Sequence, residues 1–426
     1  MIHSASIVSQ FQWSNTSEKS RMPTSLTKSL LLLSIFLIPL GLARAEDKPT
    51  VVILRFGPLT TFDTTEGAIL DVLESYGFIS ADENAFLHTR QNLEGENINI
   101  FWGSANFDLP TANLMMRQAL DREPDVLVTL TTSVTQLAIS NTIDMDDPPA
   151  VLFTSVYNPY EAGIVESTCI KPEHVTGSVS IGPYEDILAI MVAEQPGIKT
   201  IGTIFNSGES AGVAGAKIIQ DIGEELGLTV LSTAVTSLPE VNLAALALLD
   251  SGIDAFVMPI DLRTGAAGLP IIVNHANEYN VPVYHPILFA VYYGATMSAG
   301  FYHYYAQGEN VGVMLAAYLN GDIDIAATGI NEQGGSAIGV NVESAKRQGI
   351  DVSQALIDQA DVVVSGDNPR ISERVKAELT TRGVVAPLTQ RQAMDKLFLA
   401  KLACTPEMIA AQRAALNAEE GAASGA

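Results

Sequence analysis

The sequence predicts an α/β protein built as two similar lobes, and three observations lead there. Two stretches echo each other 150 residues apart. The apolar run from Thr50 to Phe56 reaches a Gly/Pro/Thr loop and then a helical pattern ending at Gly77. The run from Thr200 to Phe205 passes through a Gly/Ser loop to a helical pattern ending at Gly227. Each half then continues with a second pair of apolar runs, opening at Asp125 and Pro149 in the first and at Asp254 and Pro282 in the second. Finally, helical patterns separate consecutive apolar runs, which implies parallel sheets with right-handed crossovers. A repeat of this size implies duplicated α/β domains. Ligands of such sheets sit beyond the carboxyl ends of the strands, so two facing copies make a cleft.

In chain order, residues 1–45 read as a targeting segment. Lys19, Arg21 and Lys28 precede the apolar run from Leu30 to Leu40, and Ala43-Arg44-Ala45 supplies a small-x-small cleavage site. A mature chain beginning at Glu46 is expected. The apolar run is short for a bilayer span, with a membrane anchor as the alternative. Met22 is an alternative start. No Cys follows the apolar run, so a lipid-anchored form is not expected.

Residues 67–76 place Ala68, Ile69, Val72, Leu73 and Tyr76 on one helix face. Residues 97–102 alternate as a strand, and 109–120 form a helix opening at Pro110. Pro124 ends it before the buried run Val126 to Leu130. A short helix at 133–141 and a strand at 151–154 follow. Residues 175–180 alternate with no helix before them and are read as the crossing into the second lobe. There, a helix at 187–193, a strand at 201–205, helices at 211–226, 241–249 and 265–279, and a strand at 281–284 are expected. An aromatic segment at 295–305, a helix at 308–319, a strand at 339–343 and a helix at 355–360 are assigned to a return into the first lobe. The expected division is therefore 46–175 plus 291–365 for lobe 1, 176–290 for lobe 2, and 366–426 for a C-terminal helical extension with a frayed end.

Lys and Arg number 23 against 48 Asp and Glu, a net charge of −25, and the excess lies in the body of the chain. Phosphate neutralisation needs the opposite sign, so nucleic acid is excluded as a partner. The surface reads as acidic and solubilising. Cys169 and Cys404 are the only cysteines. In an oxidising setting they make one bridge tying the tail to the body, or else remain two buried thiols. The chain lacks a Walker A sequence, H-E-x-x-H and paired Cys, and its six His are scattered. Neither a cofactor nor a metal is expected.

These pieces resemble a known family over residues 51 to about 364. They include Asp125-Val-Leu-Val-Thr-Leu-Thr-Thr-Ser133, Phe153-Thr-Ser-Val-Tyr-Asn-Pro-Tyr-Glu-Ala-Gly163, Phe205-Asn-Ser-Gly-Glu209, Met258-Pro-Ile-Asp261 and Tyr304-Tyr-Ala-Gln-Gly308. The chain resembles the solute-binding proteins of ABC importers, in particular the group containing tryptophan and tyrosine binders. The resemblance implies two Rossmann-like lobes with parallel sheets joined by a hinge of three crossings, the type I periplasmic binding fold. It implies a small-molecule ligand held between the lobes, a permease in the inner membrane as partner, a periplasmic monomer and no catalysis. Two positions depart from the family pattern. His303 stands where the family has Asp, and Leu262-Arg263 replaces a polar pair.

The candidate ligand residues lie at strand ends. Thr132 and Ser133 open a helix whose N–H groups suit a carboxylate, or form an ordinary N-cap. Tyr157 and Asn158 offer a stacking ring and a polar group, or a turn at Asn-Pro. Asn206 and Ser210 are the corresponding groups opposite. Asp261 is the candidate partner for a ligand ammonium, since a buried carboxylate requires one; the alternative is a cap for the helix from Thr264. Arg263 suits an anionic group. Phe56 and Tyr284 supply aromatic surface or core, and His285 is a further lining candidate. Gly208-Glu-Ser-Ala-Gly212 has the form of a nucleophile elbow, so a secreted esterase using Ser210 is the enzymatic alternative. Two residues separate the strand from Gly208, and an oxyanion segment of the HGGG type is missing. A ligand-sensing subunit is the third reading.

Overall fold

The computed structural model describes residues 48–180, 182–333, 336–366, 368–380 and 385–424. The targeting segment lies outside them. The first sheet holds β1 (Thr50–Arg55), β2 (Leu93–Glu94), β3 (Asn99–Ser104), β4 (Val126–Leu130), β5 (Ala150–Val156), β6 (Val175–Ser180) and, later in the chain, β12 (Asn331–Gln333). Their order is β12-β6-β5-β4-β1-β3-β2, parallel apart from the β2–β3 pair. The second sheet holds β7 (Thr200–Asn206), β8 (Thr229–Val235), β9 (Ala255–Val257), β10 (Val283–Ile287), β11 (Met297–Phe301), β13 (Ala337–Asn341), β14 (Val362–Val364) and β15 (Arg370–Ile371). Here the order is β15-β14-β13-β11-β10-β9-β7-β8, with β11–β13 and β14–β15 antiparallel.

Helices α1 (Thr60–Ser75), α2 (Ala81–Leu87), α3 (Leu109–Leu120) and α4 (Thr132–Thr142) connect strands of the first sheet. Helices α5 (Tyr184–Glu194), α6 (Ser210–Glu225), α7 (Leu238–Asp250) and α8 (Leu269–Tyr279) connect those of the second. Helix α9 (Tyr304–Leu319) returns to the first lobe, and the short α10 (Val342–Arg347) and α11 (Gln354–Gln359) belong to the second. The chain passes between the sheets after β6, between β11 and α9, and between β12 and β13.

The lobe assignment differs from expectation in two places. The segment 175–180 is not the crossing but a strand of the first sheet, buried between β5 and β12. The segments 297–301, 337–341 and 362–364, expected in lobe 1, are strands that extend the second sheet instead; of these only the second reads as a strand in the sequence. An apolar run advertises a strand, but nothing in it states which sheet edge it joins. Strand β8 was not expected at all. It is an edge strand, exposed along much of its length, so it lacks the apolar run of a buried strand.

Each sheet carries core on both faces. In the first lobe, Val51, Ile53, Ile69, Leu73 and Leu130 pack on one side, and Val52, Leu54, Met116, Val134 and Phe153 on the other. This two-sided burial explains the near-continuous apolar strands. Helix α9 lies against α1 at close range. A Cβ at Gly308 would stand 2.1 Å from the Thr65 carbonyl oxygen, so only glycine fits there. Thr65 Oγ1 donates to the Tyr304 carbonyl at 3.1 Å, and the Tyr305 hydroxyl donates to Asp71 Oδ2 at 2.8 Å.

The extension forms α12 (Glu373–Thr380), α13 (Leu388–Lys401) and α14 (Pro406–Ser424). Phe398 and Leu399 pack on the first-lobe core, and the Tyr76 hydroxyl donates to Asp395 Oδ2 at 2.9 Å. Cys169 and Cys404 are disulfide-bonded, with Cα atoms 5.7 Å apart. Beside them Gln412 Oε1 accepts from Ser167 Oγ at 2.6 Å and from Cys169 N at 2.9 Å. The bridge closes a loop of 235 residues, which restricts the unfolded chain. Cys404→Ser should therefore lower the unfolding free energy by about 2–4 kcal/mol. Guanidinium unfolding measures this, and Cys169→Ser added to it should cost little more.

Candidate functional site

The carboxyl ends of β4 and β5 are built unusually. Thr131 has φ 89° and Ser155 has φ 55°, a left-handed backbone that non-glycine residues rarely adopt. The β5–β6 register shifts between Phe153 and Val156, which turns Ser155 out of the ladder. The hydroxyls of Thr131, Thr154 and Ser155 are all buried, and among the described residues none of them has a hydrogen-bond partner. An unpaired buried hydroxyl costs about 1–3 kcal/mol. Strain and unmet polar groups concentrated at these two neighbouring strand ends single them out as a candidate site.

Thr132, Tyr157 and Asn158 of the first lobe face Tyr184, Ala211, Gly215, Ile218 and Ile260 of the second across a narrow gap. The gap widens toward the crossings into a cavity of about 400 Å³, lined by Tyr157, Asn158, Tyr184, Glu185, Asp186 and Ser336, among others. Direct contacts also join the lobes. Ser210 Oγ donates to Gln136 Oε1 at 2.6 Å, Lys217 stands 3.9 Å from Glu161, and Leu262 packs on both first-lobe core clusters.

The residues singled out from sequence separate into two groups. Thr132, Tyr157 and Asn158 are brought together at the interlobe gap, and Ser133 is half-buried in the same first turn of α4. Asn158 Oδ1 also accepts from Glu161 N at 3.1 Å, so it closes its own turn. Ser210 lies across from them on Gln136. Its backbone is not left-handed and it opens an ordinary helix, so the strained turn of a nucleophile elbow is missing. Gly212 has a packing reason instead, because a Cβ there would meet Asp261 Oδ2 at 2.9 Å.

The others are occupied within their own lobes. Asp261 Oδ1 accepts from Thr264 N and Gly265 N, and Oδ2 accepts from Asn206 N and Thr264 Oγ1. Four donors fill the acceptor positions of a carboxylate, which leaves none for an ammonium. Asp261 is a cap and a bracket holding β7 to the segment after β9. Asn206 is buried, with Nδ2 donating to Glu209 Oε1 at 2.6 Å and Oδ1 accepting from Gly208 N at 3.0 Å. Arg263 donates to the Thr236 carbonyl at 2.6 Å on the rim. Phe56 is core, edge-on to Phe107 with centroids 6.2 Å apart. Tyr284 is fully buried in the second-lobe core and offers no stacking face.

His285 is also internal. Nε2 donates to the Gly265 carbonyl at 2.8 Å and Nδ1 accepts from Ile287 N at 3.1 Å. This arrangement requires a neutral ring, and burial pushes its pKa down to about 4.

Sequence reasoning missed Thr154, Ser155 and Glu209. The first two read as ordinary strand residues, and only the backbone angles and missing partners mark them. Glu209 is buried, accepts from Asn206 Nδ2 on one oxygen and from Leu262 N at 2.9 Å on the other, and among the described residues each oxygen has that one donor, which leaves an acceptor position on each. Burial, with Asp261 nearby, raises its pKa. Among the described residues no cluster of His, Cys, Asp or Glu could hold a metal ion, and no helix is long and apolar enough to cross a membrane.

Two α/β lobes facing each other across a gap, with a strained strand end next to Thr132 at its edge, have the build of a two-lobed ligand-binding protein. The family described as ABC transporter substrate binding protein matches residues 86–364, and the chain belongs to that family. A tyrosine-binding protein of Clostridioides difficile (strain R20291) is 25% identical over 296 residues, which cover 69% of this chain and 81% of the relative. A solved conserved domain protein from Vibrio cholerae is 24% identical with a TM-score of 0.65, covering 75% of this chain and 100% of that one. The ABC domain in complex with L-Trp from Streptococcus pneumonia is 23% identical with a TM-score of 0.64, at the same coverage. These two structures share the fold.

Two outcomes follow from the buried groups. A His with a folded pKa of about 4 stabilises fully above its unfolded pKa near 6.5. That stability is lost as pH falls from about 6.5 to 4, on the order of 3 kcal/mol. Denaturant titrations across this range should show the loss, and His285→Gln, which keeps a donor for Gly265, should flatten it. Asp261→Ala should lower stability by about 2–4 kcal/mol, because buried N–H donors lose their acceptor. An effect on ligand affinity with unchanged melting would contradict the capping role.

Proposed function

We propose that this protein is the exported, non-catalytic binding component of an ABC importer. It takes an amino acid or related small carboxylate, aromatic ones included, into the interlobe space and hands it to an inner-membrane permease. The observation that carries this reading is the trio of unpartnered buried hydroxyls at Thr131, Thr154 and Ser155. A ligand carboxylate would supply their missing partner, helped by the free N–H groups where α4 begins at Thr132. Tyr157 lines both the gap and the wider cavity and suits contact with an aromatic ring. Glu209 replaces Asp261 as the carboxylate for a ligand amine, since it alone of the two keeps acceptor positions open. The tyrosine-binding relative and the neighbour solved with L-Trp favour this ligand class. Closure would follow from contacts made by both lobes to one ligand. Export rests on the leader pattern ahead of Glu46, and N-terminal sequencing of the mature protein tests it.

The experiment is a thermal-shift panel of the mature chain against the amino acids, with L-tyrosine and L-tryptophan included, and small carboxylates. A binder at a hundred times its Kd stabilises by about 2.7 kcal/mol. A panel in which no compound moves the midpoint would sink the ligand class. Thr154→Val gives a sharper contrast. It should weaken ligand binding by about tenfold or more while leaving the ligand-free protein as stable or more so, because an unmet hydroxyl has been removed. Lower stability of the ligand-free variant would show that the hydroxyl serves the fold instead.

A further inference from the structure

We propose that α12 of the C-terminal extension is a brace across the hinge and limits how far the two lobes open. The helix is rooted in the second lobe. Strand β15 just before it pairs with β14, and Val375 is fully buried against the cluster of Leu288, Val291 and Val362. Asp361 accepts from Ser372 Oγ at 2.7 Å, Arg374 Nε at 2.7 Å and Arg374 Nη2 at 2.5 Å. A two-pronged guanidinium–carboxylate pair of this kind fixes orientation as well as position.

From that root the same helix reaches both later crossings between the lobes. Glu378 Oε1 accepts from Tyr305 N at 3.0 Å and Ala306 N at 3.2 Å, two N–H groups at the start of α9 that the helix itself leaves unpaired. His303, in the crossing before α9, has Nδ1 3.8 Å from Glu378 Oε2. The Arg374 guanidinium lies 5.4 Å over the ring of Tyr302 in that crossing. Arg374 also donates to the Ser336 carbonyl at 3.2 Å, where the chain enters β13 from the first lobe. Hinge closure and opening are absorbed as backbone rotations at a few such residues. Rotation at Tyr302–His303 swings α9, and with it the first lobe, away from a carboxylate held on the second. Opening must therefore break the cap on α9.

The chain then continues into α13 and α14, which are fixed to the first lobe by Asp395, the packed Phe398 and the Cys169–Cys404 bridge. The extension is thus attached to both lobes, a fourth connection beside the three crossings. It lies beyond residue 364, where the family match ends.

The test needs no ligand. Spin labels at Asn113→Cys on α3 and Leu243→Cys on α7, both exposed sites on opposite lobes, report the interlobe distance by double electron–electron resonance with the native disulfide intact. Arg374→Ala with Glu378→Ala should shift the ligand-free distribution to longer distances. Glu378→Ala alone, which leaves the Asp361 anchor whole, should shift it less in the same direction. Unchanged distributions in both variants would overturn the brace. Because the readout is ligand-free, failure here is separable from failure of the proposed ligand class.

Discussion

The packing of α9 on α1 is the contact on which the rest of the molecule depends. Helix α9 leaves the second sheet and buries Val311, Met314 and Leu315 among the first-lobe residues Ile69, Leu70 and Leu73. Gly308 allows the backbones to meet, and the hydrogen bonds from Thr65 and Tyr305 fix the register of the two helices. Without that seat the crossing between β11 and α9 would be a loose linker rather than a hinge. The start of α9 is also where two further systems converge. The Tyr304 side chain stands beside Tyr157 of the cleft, and Tyr305 and Ala306 take the cap from Glu378. One helix end therefore joins the first-lobe core, the candidate site and the extension.

The candidate site shows how a fold stores unmet polar capacity. Strands β4 and β5 are wholly buried and regular until their last residues, where the register slips and two residues take left-handed angles. Those positions cost stability, and they persist because the apolar sheet on either side over-determines the backbone. Contrast Asp261 and His285, equally buried and equally polar, whose every hydrogen-bonding atom is spoken for. Burial of a polar residue is thus uninformative about binding until its partners are counted. The unpartnered hydroxyls of Thr131, Thr154 and Ser155, clustered at neighbouring strand ends, carry more information than the fully bonded Asp261 carboxylate.

Much of this is legible in the amino-acid sequence. The 150-residue echo, the apolar runs and the punctuation by Gly and Pro define two α/β lobes because burial on both faces of a parallel sheet demands continuous apolar strands. The placement of Thr132, Tyr157, Asn158 and Ser210 at strand ends follows from the same logic, since ligand loops of such sheets have a fixed address. Even the tail was visible as a compositional change near Gly366.

What the sequence determined by itself is local and periodic: where the buried apolar strands and the amphipathic helices lie, that they duplicate, and where their loops fall. Tertiary structure alone decided which sheet received β11, β13 and β14, because edge choice depends on chain crossings rather than on any property of the strand. It also decided that Asp261 is consumed as a cap while Thr131, Thr154 and Ser155 are left wanting, because satisfaction of a polar atom is a property of its neighbours in space. The reach of Glu378 onto α9 is of the same kind, a contact across 72 residues of chain that no spacing rule encodes.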